Sequence, residues 1–455
     1  MAFSARGWVD STCDTETNTM IDARAHVTSH VLLEALLDAR RVECGLLEGL
    51  SDAQMLGERA HFLEPPIWEM GHVGWFQEQW LLRGLDGAET LLPGSDAIYD
   101  SFNVAYTRRW DHQYPSRAAT HAYISEVLRR SVGRLESREP SGEEAYLYTL
   151  AALHEDMHAE NLMLILQTLG YARPALGTVA DSASAASPED PEYRPHDVSV
   201  PGGAFALGAE RDEPFVFDNE KWAHPVEVRP FRIASTPVTN AQFQAFVDDD
   251  GYRRRECWGR RGWDWLRRAG AAHPLFWARD ASGRWYERRF GVLEPVEPWH
   301  PVVHVNWYEA EAFCRWAGRR LPTEAEWEMA ATLDPATSRK RRFPWGDDAP
   351  TAERASLDYR AGGTIDVRAL PASDSPVGCR QMIGNVWEWV ADTFEPYPAF
   401  VCDPYKEYSE PYFGRKKVLR GGCWTTRSRL IRSTWRNFYM RQRRNVFAGF
   451  RTVAL

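Results

Sequence analysis

The sequence predicts an α+β protein in which an N-terminal four-helix bundle precedes a loop-rich second domain. Apolar residues recur at helical spacing from about residue 22 to residue 171. Residues 172–197 are rich in Ala, Ser, Pro and Asp and show no periodicity, which is typical of a linker. Residues 198–455 contain short strand-like runs, many Gly and Pro turns and most of the 20 tryptophans. Two differently built domains follow from these observations.

Four amphipathic segments account for the predicted bundle. Each one has apolar residues on one helical face, and four such segments suggest antiparallel packing around one core. The segments are residues 30–50, 72–85, 122–137 and 143–171. We expect the residues before them, 1–21, to form a flexible tail.

The second domain is predicted to contain only two convincing helices. They cover residues 240–249 and 307–320, and the rest of residues 198–455 is expected to be short strands and long loops. Long loops within a compact domain are commonly functional. We therefore expect part of the functional site on these loops.

Composition excludes several classes of partner. The net charge of -10 argues against a general nucleic-acid surface, and the basic runs at 415–420 and 441–444 are interpreted as local or solvated charges. No apolar run approaches the ~20 residues of a membrane span, and the first residues lack the apolar core of a signal peptide. The 7 cysteines form no CxxC pair. We expect a cytoplasmic protein with reduced thiols, for which a monomer is compatible with the sequence.

A metal site is predicted by the motif HEDMH. Its histidines, His154 and His158, are four residues apart, so a helix places both imidazoles on one face. His72 lies in the apolar segment PPIWEMGHVGWF and is the natural third ligand. Three neutral imidazoles suit zinc or ferrous iron, and the spacing does not separate these metals. Glu155 and Glu160 are expected to accept hydrogen bonds from the imidazoles.

Several ordered motifs carry a resemblance that covers nearly the whole chain. HVGWF and HEDMHAE resemble the iron domain of the ergothioneine-type sulfoxide synthases, a DinB-like bundle. The region after the linker resembles the formylglycine-generating (sulfatase-modifying) domain, a C-type-lectin-like fold. The motifs that carry this second resemblance are FDNEKWAHPVEV, TPVTNAQFQAFV, HPVVHVNWYEAEAFCRWAGRRLPTEAEWEMAA, FPWGD, MIGNVWEWVADTF, KVLRGGCW and RNFYMRQRRNVFAGFR.

The resemblance to formylglycine-generating enzymes is incomplete in one respect. Those enzymes rely on a cysteine pair near the C-terminus, and this chain has no cysteine after Cys423. We therefore expect no sulfatase modification. Cys423 is expected to be a small buried residue, and Trp387, Trp389 and Trp424 are expected to pack in the core.

The resemblance implies iron chemistry on hercynine, which is trimethylated histidine. Fe(II) on His72, His154 and His158 would bind the hercynine imidazole and a sulfur donor, with dioxygen as co-substrate. Either Tyr405 or Tyr408 would donate a proton near the iron, and we prefer Tyr405. Some similar C-terminal domains bind calcium, so Ca²⁺ is also allowed here.

Substrate contacts differ from the family pattern. Asn437 fits a hercynine contact, whereas Met157 stands where the family carries a glutamine and Phe438 replaces a tryptophan. Arg443 matches an arginine that binds the thiol donor. Tyr439 replaces an aspartate that pairs with the amine of γ-glutamylcysteine. Loss of that anion removes a charge-assisted hydrogen bond, worth roughly 1.5 to 3 kcal/mol.

A hydroxyl-rich, uncharged donor is therefore the preferred hypothesis. With AYTRRWDH in the bundle, where Arg108 and Arg109 are candidate donor contacts, the pattern resembles the selenoneine synthases, which use a selenosugar. The alternative is a sulfoxide synthase that uses γ-glutamylcysteine, cysteine or another thiol. Remoter alternatives are zinc hydrolysis through Glu155 and a metal-free binding scaffold.

Overall fold

The computed structural model describes residues 27–60, 62–176 and 190–455. The predicted tail, and residues 177–189 of the predicted linker, lie outside this part of the chain. The first described helix begins at Ser29, the last bundle helix ends at Leu169, and the first described strand begins at Asp197. The exact limits of the domains stay a prediction.

Eleven α-helical segments occur in the described residues. The bundle contains α1 (Ser29–Leu47), α2 (Asp52–Leu56), α3 (Pro66–Gln77), α4 (Gly84–Asp86), α5 (Asp96–Tyr99), α6 (Arg117–Ser137) and α7 (Gly142–Leu169). The second domain contains α8 (Asn240–Asp248), α9 (Arg260–Ala269), α10 (Trp307–Trp316) and α11 (Glu324–Thr332). A π-helical turn, Glu78–Arg83, joins α3 to α4.

The long helices α1, α3, α6 and α7 form the predicted bundle. Helix α7 begins at a capping box formed by Ser141 and Glu144. Helix α3 approaches its neighbours closely through two glycines: a Cβ at Gly71 would lie 2.2 Å from the Tyr99 ring, and one at Gly74 would lie 2.4 Å from the Ile124 side chain. Small residues at these positions bring α3, and with it His72, against α5 and α6.

Short strands build the second domain. They are β1 (Asp197–Val200), β2 (Gly203–Leu207), β3 (His224–Val228), β4 (Phe231–Ala234), β5 (Trp277–Arg279), β6 (Trp285–Arg289), β7 (Val292–Pro295), β8 (Arg319–Arg320), β9 (Leu333–Asp334), β10 (Arg339–Lys340), β11 (Trp387–Thr393), β12 (Lys417–Arg420), β13 (Asn437–Tyr439), β14 (Ala448–Gly449) and β15 (Val453–Ala454).

Five small sheets result from these strands. Two have four strands, in the orders β1-β4-β15-β8 and β13-β12-β11-β14, and the others are β2-β3, β9-β10 and β5-β6-β7. Strand β12 pairs antiparallel with both β11 and β13. The sheet with β13 at its edge lies against the bundle and carries several of the predicted substrate contacts.

The prediction of only two helices in the second domain was wrong. The structure also contains α9 and α11. The apolar residues of α9, including the buried Trp265 and Leu266, lie on one helical face and its arginines lie on the other. The segment is therefore amphipathic, and its helical pattern is present in the sequence.

The core is continuous between the bundle and the second domain. Trp387, Trp389 and Trp424 are buried in it, as predicted, and so is Cys423. The six cysteines of the described ranges form no disulfide with one another. In the same ranges, no helix is long and apolar enough to cross a bilayer.

Candidate metal centre and substrate pocket

Three histidines from two helices converge in the bundle. His72 comes from α3, and His154 and His158 come from successive turns of α7. Their ligand atoms all lie within 4.8 Å of one another. His72 and His154 are almost fully buried, and His158 is partly exposed. The structure therefore brings together all three of the predicted ligands.

Hydrogen bonds at Nδ1 orient two of these imidazoles. His72 Nδ1 lies 2.8 Å from the backbone carbonyl oxygen of Tyr99, which only accepts, so Nδ1 donates and Nε2 is left for a metal. His158 Nδ1 bonds to the Glu69 carboxylate. Among the described residues, neither ring nitrogen of His154 has a hydrogen-bond partner. The ring of His154 stacks on Phe76, with centroids 3.6 Å apart.

His72 and His154 are held in a form suited to metal binding. Burial lowers the pKa of His72 and of His154 well below the ordinary value, and the neighbouring His158 lowers both further. Neutral imidazole is the form that binds a metal ion. Together with the unpartnered nitrogens of His154, this donor set fits zinc or ferrous iron.

Neither Glu155 nor Glu160 orients an imidazole, so that prediction was wrong. Glu155 accepts hydrogen bonds from Arg40 Nε at 2.6 Å and Gln77 Nε2 at 2.5 Å, inside the bundle. Glu160 accepts from the second domain instead, as described below. The orienting carboxylate is Glu69, one turn before His72 on α3. An acidic residue on an otherwise apolar helix face was the available signal for it.

Glu160 links the metal-binding helix to the second domain. Its carboxylate accepts a hydrogen bond from Trp387 Nε1 at 2.7 Å and another from Thr426 Oγ1 at 2.6 Å. Nearby, Arg429 forms a two-pronged ion pair with Asp156, at 2.6 and 2.7 Å. Helix α7 thus carries two candidate metal ligands and two interdomain contacts within seven residues.

Of the two predicted tyrosines, Tyr405 is the one beside the triad. Its ring lies 6.0 Å from the His154 ring and 5.0 Å from the Phe76 ring, between centroids. Tyr408 is turned away: it stacks on Phe217 at 4.5 Å, and its hydroxyl accepts a hydrogen bond from Trp435 at 3.2 Å. Burial raises the pKa of both phenols above the ordinary value.

Residues 403–412, called here the tyrosine segment, are anchored to both domains. Ser409 is fully buried, and its hydroxyl donates a hydrogen bond to Asp218 of the second domain. Asp403 accepts a hydrogen bond at 2.9 Å from the hydroxyl of Tyr146 on α7. These contacts fix both ends of the turn that carries Tyr405.

The two predicted bundle arginines have different environments. The Arg108 side chain is 74% exposed and faces Asp111, so the structure places it away from the triad. Arg109 is buried and forms an ion pair with Glu64 at 2.7 Å. Its guanidinium lies 3.9 Å from the centroid of Trp68, whose ring stacks on His72 at 4.4 Å. Arg109 is therefore separated from His72 only by the Trp68 ring.

The remaining predicted contacts lie on or near β13. Asn437 uses its side-chain oxygen to accept the backbone N–H of Phe438 at 2.7 Å. The Tyr439 ring lies 4.6 Å from the Arg443 guanidinium, and Arg443 also reaches Asn161 of α7 at 3.5 Å.

Asn161 connects this strand to the triad, and Met157 lies on the same helix. Asn161 donates a hydrogen bond to Glu69 at 2.7 Å, and Glu69 in turn holds His158. Met157 is half-buried and directly precedes His158 on α7. These residues therefore lie where α7 meets the second domain. Tyr412, which the sequence did not single out, lies beside Phe438 of β13, with ring centroids 5.5 Å apart.

Comparison with known proteins supports the same two-part organisation. Residues 183–454 match the Sulfatase-modifying factor enzyme 1-like domain, and residues 35–162 match the DinB superfamily. A hercynine oxygenase from Mycolicibacterium thermoresistibile is 39% identical over 92% of this chain and 94% of the relative. One from Mycobacterium tuberculosis is 38% identical over 93% of this chain and 99% of the relative. A formylglycine-generating enzyme from Streptomyces coelicolor is 36% identical, over 55% of this chain and 86% of its own.

Proposed function

The chain belongs to the ergothioneine-type sulfoxide synthase family, and from this membership we propose that it is an iron- and oxygen-dependent enzyme acting on hercynine. It would join selenium, or alternatively sulfur, to the imidazole ring. The observation that carries the proposal is the buried triad of His72, His154 and His158, in a chain that aligns over 92% of its length with a hercynine oxygenase.

The environment of His154 supports a metal at this place. A buried polar atom without a hydrogen-bond partner costs about 1–3 kcal/mol, and coordination would offset this cost. His154 adds a third imidazole to those of His72 and His158, and the ligand atoms of the three lie within 4.8 Å of one another. His72, His154 and His158 would hold ferrous iron, which would supply the activation of dioxygen at this site.

The electron balance of the proposed reaction requires dioxygen. The ring C–H bond and the donor's chalcogen–H bond are replaced by one carbon–chalcogen bond, which releases two electrons. Oxidation of the chalcogen to an oxide releases two more. Dioxygen accepts all four electrons, with one oxygen atom entering the oxide and the other leaving as water.

Side chains of this protein would position the reactants and supply a proton. Glu69 and the Tyr99 carbonyl hold His158 and His72 in fixed orientations. Tyr405 is proposed as the proton donor, because its raised pKa keeps the phenol protonated near the triad. The rings of Phe76 and Trp80 border Tyr405 and limit water there.

The selenosugar assignment rests on Tyr439. Its ring packs on the Arg443 guanidinium at the place where the family pattern has an aspartate for the donor ammonium. A phenol hydroxyl pairs with hydroxyl groups but does not neutralise an ammonium, so a sugar donor fits better than γ-glutamylcysteine.

Zinc hydrolysis through Glu155 is less well supported. A general base must reach the water that it activates. The Glu155 carboxylate is instead fully buried and engaged by Arg40 and Gln77. Its geometry indicates a structural role within the bundle.

The proposal is tested by mass spectrometry of reaction products. Anaerobically iron-loaded protein receives hercynine and oxygen, with a selenosugar, cysteine or γ-glutamylcysteine offered in parallel. We expect a selenium adduct of hercynine that is absent without iron or oxygen. A sulfoxide from γ-glutamylcysteine alone would overturn the donor assignment, and no adduct with any donor would overturn the proposed function.

A Tyr439→Asp variant sharpens the donor test. The new carboxylate would pair with the ammonium of γ-glutamylcysteine, so we expect its use to rise roughly tenfold or more relative to wild type. Tyr439→Phe is the matched control, since it removes the hydroxyl without adding charge. An unchanged preference in Tyr439→Asp would mean that Tyr439 does not face the donor.

A further inference from the structure

The candidate ligand His72 is held by two different kinds of contact. Its Nδ1 atom donates a hydrogen bond to the Tyr99 carbonyl oxygen at 2.8 Å. Its ring also stacks on the Trp68 ring, with centroids 4.4 Å apart and ring planes inclined by 12°. A hydrogen bond at one ring atom leaves an imidazole free to tilt about that atom. The stack removes this freedom, so the two contacts together fix the direction of His72 Nε2.

The Trp68 ring is itself fixed in place. It is fully buried, and its Nε1 donates a hydrogen bond to the Ile98 carbonyl oxygen at 2.9 Å. The Arg109 guanidinium carbon lies 3.9 Å from the centroid of the same ring. Atoms in contact stay about 3.5 Å apart, so the guanidinium and the His72 imidazole do not fit side by side on one face of the indole. The indole therefore lies between them.

Arg109 is held as firmly as the ring that it covers. Its Nη1 donates to the buried Glu64 carboxylate at 2.7 Å, and its Nη2 donates to the Ser101 carbonyl oxygen at 3.1 Å. The Glu64 carboxylate also accepts a hydrogen bond at 3.0 Å from the Tyr106 hydroxyl. Tyr106 and Arg109 belong to one short helical turn, Tyr106–Asp111, within the AYTRRWDH motif. This turn therefore fixes the guanidinium over Trp68.

These surroundings do not suit a contact between Arg109 and the donor. The side chain is buried, and its Nε atom, which has no hydrogen-bond partner among the described residues, is buried from solvent as well. A donor contact needs an N–H group that reaches the space beside the metal. The Trp68 ring instead fills the gap between Arg109 and His72.

We infer that Arg109 is a positioning residue of the metal centre, which holds the Trp68 ring against the imidazole of His72. Attraction between the guanidinium and the indole keeps the ring in place. The ring in turn fixes the plane of an imidazole that binds metal. This inference rests on the metal site of the proposed function and is independent of the donor. It gives the AYTRRWDH motif a part in metal binding.

Cobalt binding tests this role. Co(II) binds to imidazole nitrogens, and its visible absorption reports how its ligands are arranged. Full-length wild type and Arg109→Met are loaded with Co(II), and affinity is measured by competition with a chelator of known affinity. We expect the Co(II) affinity of Arg109→Met to fall roughly 3- to 30-fold, with a changed absorption spectrum. Arg109→Lys keeps a cation near the ring and is expected to recover part of both.

A second variant separates the ring contact from the ion pair. Arg109→Met leaves the Glu64 carboxylate buried without its cation, which lowers stability whatever else Arg109 does. The double variant Glu64→Gln/Arg109→Met removes both charges. We expect it to show the same fall in Co(II) affinity and the same change in spectrum, with a smaller loss of stability in urea unfolding.

Arg134→Met is the matched control. Arg134 forms a partly buried ion pair with Glu144 at 2.7 Å in the same bundle. Glu144 precedes His154 by ten residues on α7, which is about 15 Å along the helix. Arg134→Met is therefore expected to lower stability and to keep the Co(II) affinity and spectrum of wild type.

The outcomes separate this inference from the proposed function. Wild-type Co(II) affinity and spectrum in Arg109→Met would overturn the inference, and a raised KM for the donor in that variant would then assign Arg109 to donor recognition. An equal loss of Co(II) affinity in Arg134→Met would also overturn it, because the effect would be one of stability alone. Wild type that binds Co(II) at the triad but does not convert hercynine when loaded with iron would overturn only the proposed function. Wild type that binds no metal would overturn both.

Discussion

At the scale of single residues, the metal centre depends on groups that are not themselves ligands. Glu69 is fully buried and is shared by His158 and Asn161. Partners of this kind fix the tautomer and raise the basicity of a ligating imidazole. We therefore expect α3 to set part of the affinity of the triad for metal, although two of the three proposed ligands belong to α7.

Replacing Glu69 tests this dependence. Glu69→Gln keeps the shape of the side chain but removes its charge, and we expect metal affinity to fall about 10- to 100-fold. Competition with a chelator of known affinity measures the loss. Glu155→Gln is the control: it weakens the buried contact with Arg40, so it should lower stability and leave metal affinity nearly unchanged. Equal metal loss in the two variants would contradict this assignment.

The two tyrosines allow a direct comparison at the same scale. If Tyr405 donates the proton, Tyr405→Phe should lower kcat by about 10²- to 10⁴-fold with normal metal content. Tyr408→Phe removes only the acceptor of the Trp435 N–H and should cost about 1 kcal/mol of stability with a small change in kcat. Single-turnover rates of both variants show which tyrosine donates the proton. A larger rate loss in Tyr408→Phe than in Tyr405→Phe would assign the proton donor to Tyr408.

Some residues of the site were predictable from sequence, and others were not. His154 and His158 are linked by helical periodicity, so their shared face follows from spacing alone. Glu69 lies 89 residues from His158, and no local pattern joins them. Glu160 and Thr426 are 266 residues apart, so no local pattern indicates that they are in contact. Without knowledge of this contact, the nearest imidazole in sequence is the expected partner of the Glu160 carboxylate.

At the scale of elements, the tyrosine segment depends on one buried carboxyl. Burial raises the pKa of Asp218 to about 7, because the hydrogen bond from Ser409 compensates only part of the desolvation. Its ordinary value is 3.8, so the folded state binds this proton more tightly than the unfolded state. The contribution of this bound proton to the free energy of unfolding is fully present below pH 3.8, and it is lost as the pH rises through about 7.

Asp218→Asn should remove this pH dependence. Relative to wild type, the free energy of unfolding of the variant should rise between pH 5 and pH 7, by roughly 2 kcal/mol, and level off above pH 7. Urea unfolding of both proteins at several pH values measures the difference. A difference that is constant across this range would show that the Asp218 carboxyl does not change its protonation on unfolding.

The helices of the second domain show which elements a sequence identifies. Helix α11 begins with a capping box of Thr323 and Glu326 inside LPTEAEW, which is a local signal for the start of a helix. Helix α9 also carries a local signal, because the buried Trp265 and Leu266 lie on one face, its arginines lie on the other, and Gly270 ends the helix. The short strands, several of only two residues, depend on pairing with distant segments and are not specified locally.

At the scale of the whole molecule, the two domains share one apolar core and several buried polar contacts. Glu160, Asp156 and Gln167 of α7 all bond to the second domain, the last through the Arg288 carbonyl at 2.9 Å. We therefore expect the intact chain to unfold in one cooperative transition. Differential scanning calorimetry checks this, and two separated transitions would show that the domains unfold independently.

Arg429→Ala extends the calorimetric test to the interface. It leaves Asp156 buried with only the more distant Arg427, at 3.8 Å, and removal of one partner from a buried pair costs about 3 kcal/mol. The single transition should move to lower temperature without dividing. A normal transition temperature would mean that the ion pair contributes little to holding the domains together.

The position of Glu160, half a turn beyond His158, also limits how new enzymes can be assembled from related parts. A chimera that combines this bundle with a foreign second domain would receive a tyrosine segment, yet without a Trp387 indole and a Thr426 hydroxyl it would leave the buried Glu160 carboxylate without its hydrogen-bond donors. Successful recombination therefore requires these three residues to be inherited together, wherever the crossover between parents is placed.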